Sequence, residues 1–93
     1  MAEYSVIFTE SYVKRASKFF KKHPELLGQY EKCLLLMETN PYHSSLRIHK
    51  LHGRLSGLYS ISITISYRLT IEFIIEEKTI LPVRIGTHDE MYS

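Results

Sequence analysis

Residues 59–75 read YSISITISYRLTIEFII, and this stretch decides the fold class of the chain. Apolar side chains hold the odd positions from Tyr59 to Ile75, and most of the even positions are polar. Alternation with a period of two is typical of a strand with one buried face. Because one strand rarely exceeds about ten residues, the pattern predicts a strand, a turn near residues 64–66 and a second strand.

The first part of the chain predicts one strand and two helices. Residues 4–8 are β-branched and aromatic, which favours a short strand. Apolar residues at helical spacing predict an amphipathic helix over 10–22 and a second helix over 24–39. Asn40 and Pro41 end the second helix, since proline cannot continue it. Two helices this close in sequence are expected to form an antiparallel hairpin.

The remaining elements complete an α+β fold. Residues 46–51 are expected to form an edge strand, and residues 79–86 a last strand after a turn at 76–78. The last strand is expected to turn one apolar face to the core, made by Leu81, Val83 and Ile85. Pro82 predicts a bulge or an edge position there. We therefore predict an N-terminal strand, an antiparallel two-helix hairpin and a three- to four-stranded, mostly antiparallel sheet.

Length and composition restrict the class of protein. The 93 residues are expected to form one domain, residues 1–93. The single cysteine, Cys33, excludes an internal disulfide and a cysteine-based zinc site. No signal peptide and no membrane-length apolar run is visible, so we expect a cytoplasmic protein. Residues 1–55 hold nine basic and five acidic residues, which weakly indicates an anionic partner.

The polar phase of the strands predicts a functional face opposite the helices. It contains Ser60, Ser62, Thr64, Arg68, Thr70 and Arg84. Arginines on a polar sheet face suit a phosphate, because a guanidinium matches a phosphate at two points. The alternative for Arg68 is an ordinary ion pair with Glu72 or Glu76.

Histidines add proton-transfer chemistry to this face. His49 and His52 lie three residues apart, which places them on opposite faces of a strand, and we predict no metal site. His88 ends the last strand and shares its parity with Arg84. A cation beside an imidazole suits phosphate-ester chemistry, since one stabilises developing charge and the other moves a proton.

Four segments together resemble the RelE/ParE superfamily of type II toxins. They are His49-Lys50-Leu51-His52-Gly53, Leu55-Ser56-Gly57-Leu58-Tyr59-Ser60-Ile61, Tyr67-Arg68-Leu69 and Arg84-Ile85-Gly86-Thr87-His88-Asp89-Glu90-Met91-Tyr92. The final segment, with its G-T-H-x-x-x-aromatic signature, is most similar to the YafQ-like branch. The order of predicted elements agrees with that family over essentially the whole chain.

The resemblance implies a cytoplasmic toxin that cleaves mRNA without a cofactor, in many members at the A site of the translating ribosome. It also implies a cognate antitoxin that blocks the toxin. The catalytic residues by this resemblance and the preceding reasoning are His49, Arg68, Arg84, His88 and Tyr92. The expected RNA-binding residues are Lys14, Lys18, Lys21, Lys50, His52 and Arg54.

Two serines depart from the YafQ-like pattern. That branch carries a further histidine and a further aspartate where this chain has Ser62 and Ser66, and serine is no acid or base near pH 7. The hypothesis is therefore 2′-OH attack with His49 as base and His88 as acid, or the reverse. The alternatives are a ParE-like poison of DNA gyrase and a decayed toxin that only binds its antitoxin.

Overall fold

The computed structural model describes residues 3–87, 89 and 90 of the chain. The two helices are α1, Glu10–Lys22, and α2, Leu27–Thr39. The strands are β1, Ser5–Val6; β2, His49–Lys50; β3, Leu58–Ser62; β4, Tyr67–Ile74; and β5, Thr79–Thr87. Short 3-10 turns are formed by Pro24–Leu26, Ser44–Leu46 and Gly53–Leu55.

The five strands form one sheet in the order β1-β5-β4-β3-β2. β1 runs parallel to β5, and the other neighbours are antiparallel. The predicted strand, helical hairpin and antiparallel meander are confirmed. The predicted edge strand over 46–51 is shorter, because Ser44–Leu46 forms a 3-10 turn and only His49–Lys50 pairs with β3.

Local signals set the helix ends. The Thr9 hydroxyl caps α1 by accepting the Tyr12 amide N–H at 3.2 Å. α2 begins at Leu27 rather than at Pro24, because Pro24–Leu26 forms a tighter 3-10 turn first. A short turn between two helices folds them back over the same side of the sheet.

The core lies between the helices and one face of the sheet. That face carries the odd-numbered apolar residues of the decisive stretch: Ile61, Ile63, Leu69, Ile71 and Phe73, all buried. The two helices are joined inside this core by a hydrogen bond of 2.7 Å between the hydroxyls of Tyr12 and Tyr30. The even-numbered residues of β3 and β4 therefore face away from the helices, as the alternation predicts.

The turn between β3 and β4 lies where the sequence predicts it, although no Gly, Pro, Asn or Asp marks it. The Thr64 hydroxyl accepts the backbone N–H groups of Ser66 and Tyr67, both at 3.2 Å. The Thr64 side chain thus stabilises the turn through hydrogen bonds in place of the usual turn residues. As a correction, Thr64 is a turn residue and does not lie on the predicted polar strand face, since β3 ends at Ser62.

A β-bulge changes the phase of β5. Thr70 pairs with Arg84 but Ile71 pairs with Pro82, so Val83 is an extra residue on β5. The predicted apolar face of Leu81, Val83 and Ile85 is therefore wrong. Before the bulge the core residues are Ile80 and Pro82, and after it the core residue is Ile85. The predicted bulge at Pro82 is confirmed.

Candidate functional site

Two rows of side chains cross the sheet on the face away from the helices. Strand register aligns the first row, which holds His49, Ser60, Thr70 and Arg84. The second row, one pleat further along, holds Ser62, Arg68 and Gly86. The register therefore brings three of the predicted catalytic residues, His49, Arg68 and Arg84, to one face of the sheet.

The Arg68 guanidinium is held partly out of water. Its Nη1 donates to the Ser60 hydroxyl at 3.4 Å, so the side chain leans from β4 over β3, toward the strand that carries His49. Its Nε is buried and has no hydrogen-bond partner among the described residues. No salt bridge joins Arg68 to Glu72 or Glu76. A buried N–H donor without an acceptor is unfavourable, and the Arg68 Nε is such a donor.

The ring orientation of His49 prepares it to accept a proton. Its Nδ1 lies 3.1 Å from the Arg47 carbonyl oxygen, which can only accept a hydrogen bond. Nδ1 therefore carries the hydrogen of the neutral ring, and the lone pair is on Nε2. Arg47 has φ 48, a left-handed conformation that turns its carbonyl toward the ring. The His49 side chain as a whole is exposed.

Arg84 lies further from His49 than Arg68 does. Three strand spacings separate β2 from β5, which is roughly 14 Å between the two backbones. Arg84 instead meets Arg15 of α1 at a cavity of about 320 Å³ that also contacts Ile85. The two predicted catalytic arginines therefore occupy different parts of the face.

A reciprocal capping box follows β5. The Glu90 carboxylate accepts the Thr87 amide at 3.0 Å and the Thr87 hydroxyl at 2.9 Å, and the Glu90 amide donates to that hydroxyl at 3.2 Å. The same carboxylate lies against Gly86, where an added Cβ would stand 3.4 Å from it. The two Thr87 bonds, and more weakly the charges of Arg84 and His23, hold the Glu90 pKa below its usual value.

The remaining predicted residues are spread over the surface. Lys50 and His52 line a cavity of about 490 Å³ beside Tyr59 and Phe73. Arg54 is exposed in the turn Gly53–Leu55. His88 and Tyr92, which we predict to be catalytic, lie outside the described residues.

The sequence analysis predicted Lys18 on α1 but not its neighbours Arg15 and Lys22, which also line cavities. Lys18, which we predict to bind RNA, lines a cavity of about 250 Å³ with Phe19, Lys22, His23 and Glu90. Lys14 and Lys21 line neither this cavity nor that of Arg15 and Arg84. The signal was the spacing of positions 15, 18 and 22, which lie on one side of a helix.

No helix in the described part of the chain is long and apolar enough to cross a membrane. No group of three or more His, Cys, Asp or Glu side chains in it is arranged to hold a metal ion.

Comparison with known proteins gives likeness at the level of structure. No family model and no curated protein sequence matches the chain. The crystal structure of YafQ from E. coli strain BL21(DE3) has a TM-score of 0.77 at 15% identity, over 98% of this chain and 100% of that one. YafQ in the E. coli DinJ-YafQ toxin-antitoxin complex has a TM-score of 0.76 at 18% identity, over 98% of this chain and 99% of that one. A YoeB/ParE toxin from Agrobacterium tumefaciens has a TM-score of 0.71 at 14% identity, over 90% of this chain and 98% of that one.

These matches define the fold class. The chain has the α+β fold of the RelE/ParE-type toxins, as the sequence motifs predict. Within that class, its likeness to YafQ covers nearly the whole of both chains.

Proposed function

We propose that this chain is the toxin of a type II toxin-antitoxin system and that it cleaves mRNA as a metal-independent endoribonuclease. The observation that carries the proposal is the placement of His49 and Arg68. A proton acceptor and a partly desolvated guanidinium lie on one face of a sheet with the fold of the RelE/ParE-type toxins. The proposed place of action is the A site of the translating ribosome in the cytoplasm.

His49 is the proposed general base. Its Nε2 would take the proton of a ribose 2′-OH, because the Arg47 carbonyl fixes the hydrogen on Nδ1. The 2′ oxygen then attacks the adjacent phosphorus and the bond to the 5′ oxygen breaks. The products are a 2′,3′-cyclic phosphate and a 5′-hydroxyl end.

Arg68 is the proposed group that stabilises the developing negative charge. Its Nη1 donates to the Ser60 hydroxyl, which orients the guanidinium before substrate arrives, and its Nε has no acceptor among the described residues. Such pre-oriented donors stabilise a transition state without further rearrangement. His88 is the proposed acid that protonates the leaving 5′ oxygen, and Tyr92 is proposed to stack on a base.

The proposed protein partner is a cognate antitoxin. The DinJ-YafQ complex is a toxin-antitoxin complex in which the toxin has this fold. A free ribonuclease that attacks mRNA would harm the cell that makes it, so an inhibitor made beside it fits the proposed activity. Co-expression of the chain with the product of a neighbouring gene, followed by co-purification, tests this part.

The test of the activity is 5′-end mapping of a reporter mRNA in a translating extract and on naked RNA. We expect wild-type protein to give cuts in the extract that His49→Ala abolishes. His43→Ala is the matched control, because His43 is also exposed but its ring bonds, among the described residues, to Ser45 in its own turn. Intact mRNA with wild-type protein, or full cleavage by His49→Ala, would contradict the proposal.

The serines at 62 and 66 keep a second candidate function in view. The Ser62 hydroxyl donates to the Thr64 carbonyl at 2.9 Å, so it is engaged in the turn and supplies no proton-transfer group. A fold of this class with a reduced catalytic set fits a ParE-like gyrase poison. Growth arrest with broken DNA and intact mRNA would identify that function, and normal growth would identify a decayed toxin that only binds its antitoxin.

A further inference from the structure

A basic groove runs between α1 and the second half of β5. β1 pairs with β5 only at Thr79 and Ile80, so within the described chain the rest of β5 has no strand on that side. The cavity of Arg15, Arg84 and Ile85 and that of Lys18, Phe19, Lys22, His23 and Glu90 follow one another along this edge. We call them together the α1–β5 groove.

Among the described residues, the Arg and Lys side chains of the groove form no salt bridge, although the Glu90 carboxylate lies in the groove and the charge of Arg84 helps to lower its pKa. The salt bridge found there is His23 with its neighbour Glu25, at 3.5 Å. Arg15, Lys18, Lys22 and Arg84 form none with the described acids. An ordinary solvated helix face usually mixes both signs of charge. The groove thus concentrates positive charge at a concave surface, which raises the local concentration of anions.

A carboxylate already occupies one end of the groove. Glu90 lines the second cavity and lies against Gly86, the strand partner of Arg68. The Thr87 amide and hydroxyl hold it there as an ionised group. The Glu90 carboxylate thus stands between the cations of α1 and the face that carries Arg68.

The groove also offers an aromatic surface. The Phe19 ring stands 4.7 Å from the His23 ring and 5.6 Å from the Tyr67 ring, centroid to centroid, and so its position is fixed. Phe19 is only half-buried. Unpaired RNA binds to surfaces that combine cations with an accessible aromatic ring. Its phosphates contact the cations, and one of its bases stacks on the ring. An acidic peptide would use the cations but has no need of the ring.

We propose that the α1–β5 groove binds the backbone of single-stranded RNA next to the nucleotide that is cleaved. Arg15 and Arg84 hold one phosphate at the first cavity. Lys18 and Lys22 hold the next one at the second cavity, with a base against Phe19. This inference rests on the proposed function, and it assigns Arg84 to substrate binding away from the bond that His49 attacks.

The test is binding of a 12-nucleotide RNA that carries 2′-O-methyl groups throughout, followed by fluorescence anisotropy. This probe lacks the attacking hydroxyl, so binding is measured apart from cleavage. At 0.1 M salt each lost phosphate contact lowers affinity about fivefold and flattens the logarithmic salt dependence by about 0.7. Arg15→Gln with Lys22→Gln is therefore expected to bind about 25-fold more weakly, with the slope reduced by about 1.4.

The matched control is Lys32→Gln with Lys78→Gln. It removes the same charge from two exposed residues that do not line the groove, and its affinity is expected to stay within about twofold of wild type. Glu90→Gln keeps an oxygen for Thr87 but removes the negative charge, so it is expected to bind RNA about threefold more tightly.

Several results would overturn the inference. One is an equal loss of RNA affinity in the double variant at Arg15 and Lys22 and in the control variant at Lys32 and Lys78. Another is a wild-type protein that does not bind the RNA probe. If Arg15→Gln with Lys22→Gln lost binding to a polyglutamate peptide but kept its affinity for RNA, the groove would be assigned to an acidic protein instead. A wild type that binds through the groove but leaves translated mRNA intact would refute only the proposed cleavage.

Discussion

Thr87 and Glu90 bond to each other through both backbone and side chain, across the position of His88. The Thr87 amide donates to the Glu90 carboxylate, and the Glu90 amide donates to the Thr87 hydroxyl. Each residue thus fixes the backbone direction of the other. In the sequence, these two residues flank His88, the proposed acid of the reaction.

Thr87→Val is expected to lower the rate of RNA cleavage by about 100-fold, because a small displacement of a catalytic group has an effect of this size. Loss of a cap costs about 1 kcal/mol, which lowers the Tm of a domain this small by about 4–8 °C. Cleavage rates and thermal unfolding measured together separate the two effects.

Thr79→Val is the control for that change. Thr79 lies at the other end of β5, where its hydroxyl donates to the Glu77 carbonyl at 3.2 Å. It removes the same atoms from the same strand, and the cleavage rate should be unchanged. Equal losses of activity in both variants would show that the Thr87 hydroxyl acts on the whole sheet rather than on position 88.

The capping box is expected to depend on pH at the acid end. The Thr87 N–H and hydroxyl favour the ionised carboxylate, so the pKa of Glu90 is below its ordinary value of 4.5. A depressed carboxyl pKa contributes stability above the unfolded-state value, and this is lost as the pH falls through the folded-state value. An NMR titration of the Thr87 amide should give a midpoint below 4.5, absent in Glu90→Gln. A midpoint above 4.5 would show that the bonds to Thr87 do not favour the charged form.

The buried hydroxyls of Tyr12 and Tyr30 are expected to depend on each other. Burial raises the pKa of both phenols, so both are neutral and one donates to the other. Tyr12→Phe leaves the Tyr30 hydroxyl buried without that partner, which costs about 1–3 kcal/mol. The double change to phenylalanine should cost about 1 kcal/mol less than the sum of the single changes, measured by urea unfolding. Strict additivity would mean that each hydroxyl reaches water by itself.

The Thr64 hydroxyl is expected to determine the stability of the β3–β4 turn. Thr64→Val keeps the shape of the side chain but removes the acceptor of the Ser66 and Tyr67 amides. We expect a loss of about 1–2 kcal/mol in the free energy of unfolding. Thr64→Ser retains the acceptor and serves as the control. If both variants lost the same stability, the methyl group rather than the hydroxyl would hold the turn.

The fold could be predicted from sequence wherever one pattern determined one element. The alternation over 59–75 placed β3, β4 and their shared face, and helical spacing placed α1 and α2. The prediction failed at Leu81 and Val83, because a bulge adds a residue and reverses the phase without changing the local composition. The late start of α2 was missed because Pro24 favours the first turn of an α-helix and a 3-10 turn alike.

The sequence predicted which face of the sheet carries the candidate site, but not how far apart its residues lie on that face. Strand parity placed Arg68 and Arg84 on the polar side, and the motif placed His49 there. Parity contains no information on distance across a sheet, so it did not separate Arg84 from His49. The proposed role of Arg15 could not be predicted either, because it depends on which edge of the sheet α1 covers, and that is a tertiary relationship.

The extra residue at Val83 makes β5 tolerant of one particular change in length. Val83 has no partner on β4, because Thr70 pairs with Arg84 and Ile71 pairs with Pro82. Deletion of Val83 would therefore remove the bulge and still leave Arg84 opposite Thr70 and Ile85 opposite Leu69, each on its present face of the sheet. We therefore expect natural variants of this chain to include some that lack one residue between Pro82 and Arg84 and keep both faces of the strand end.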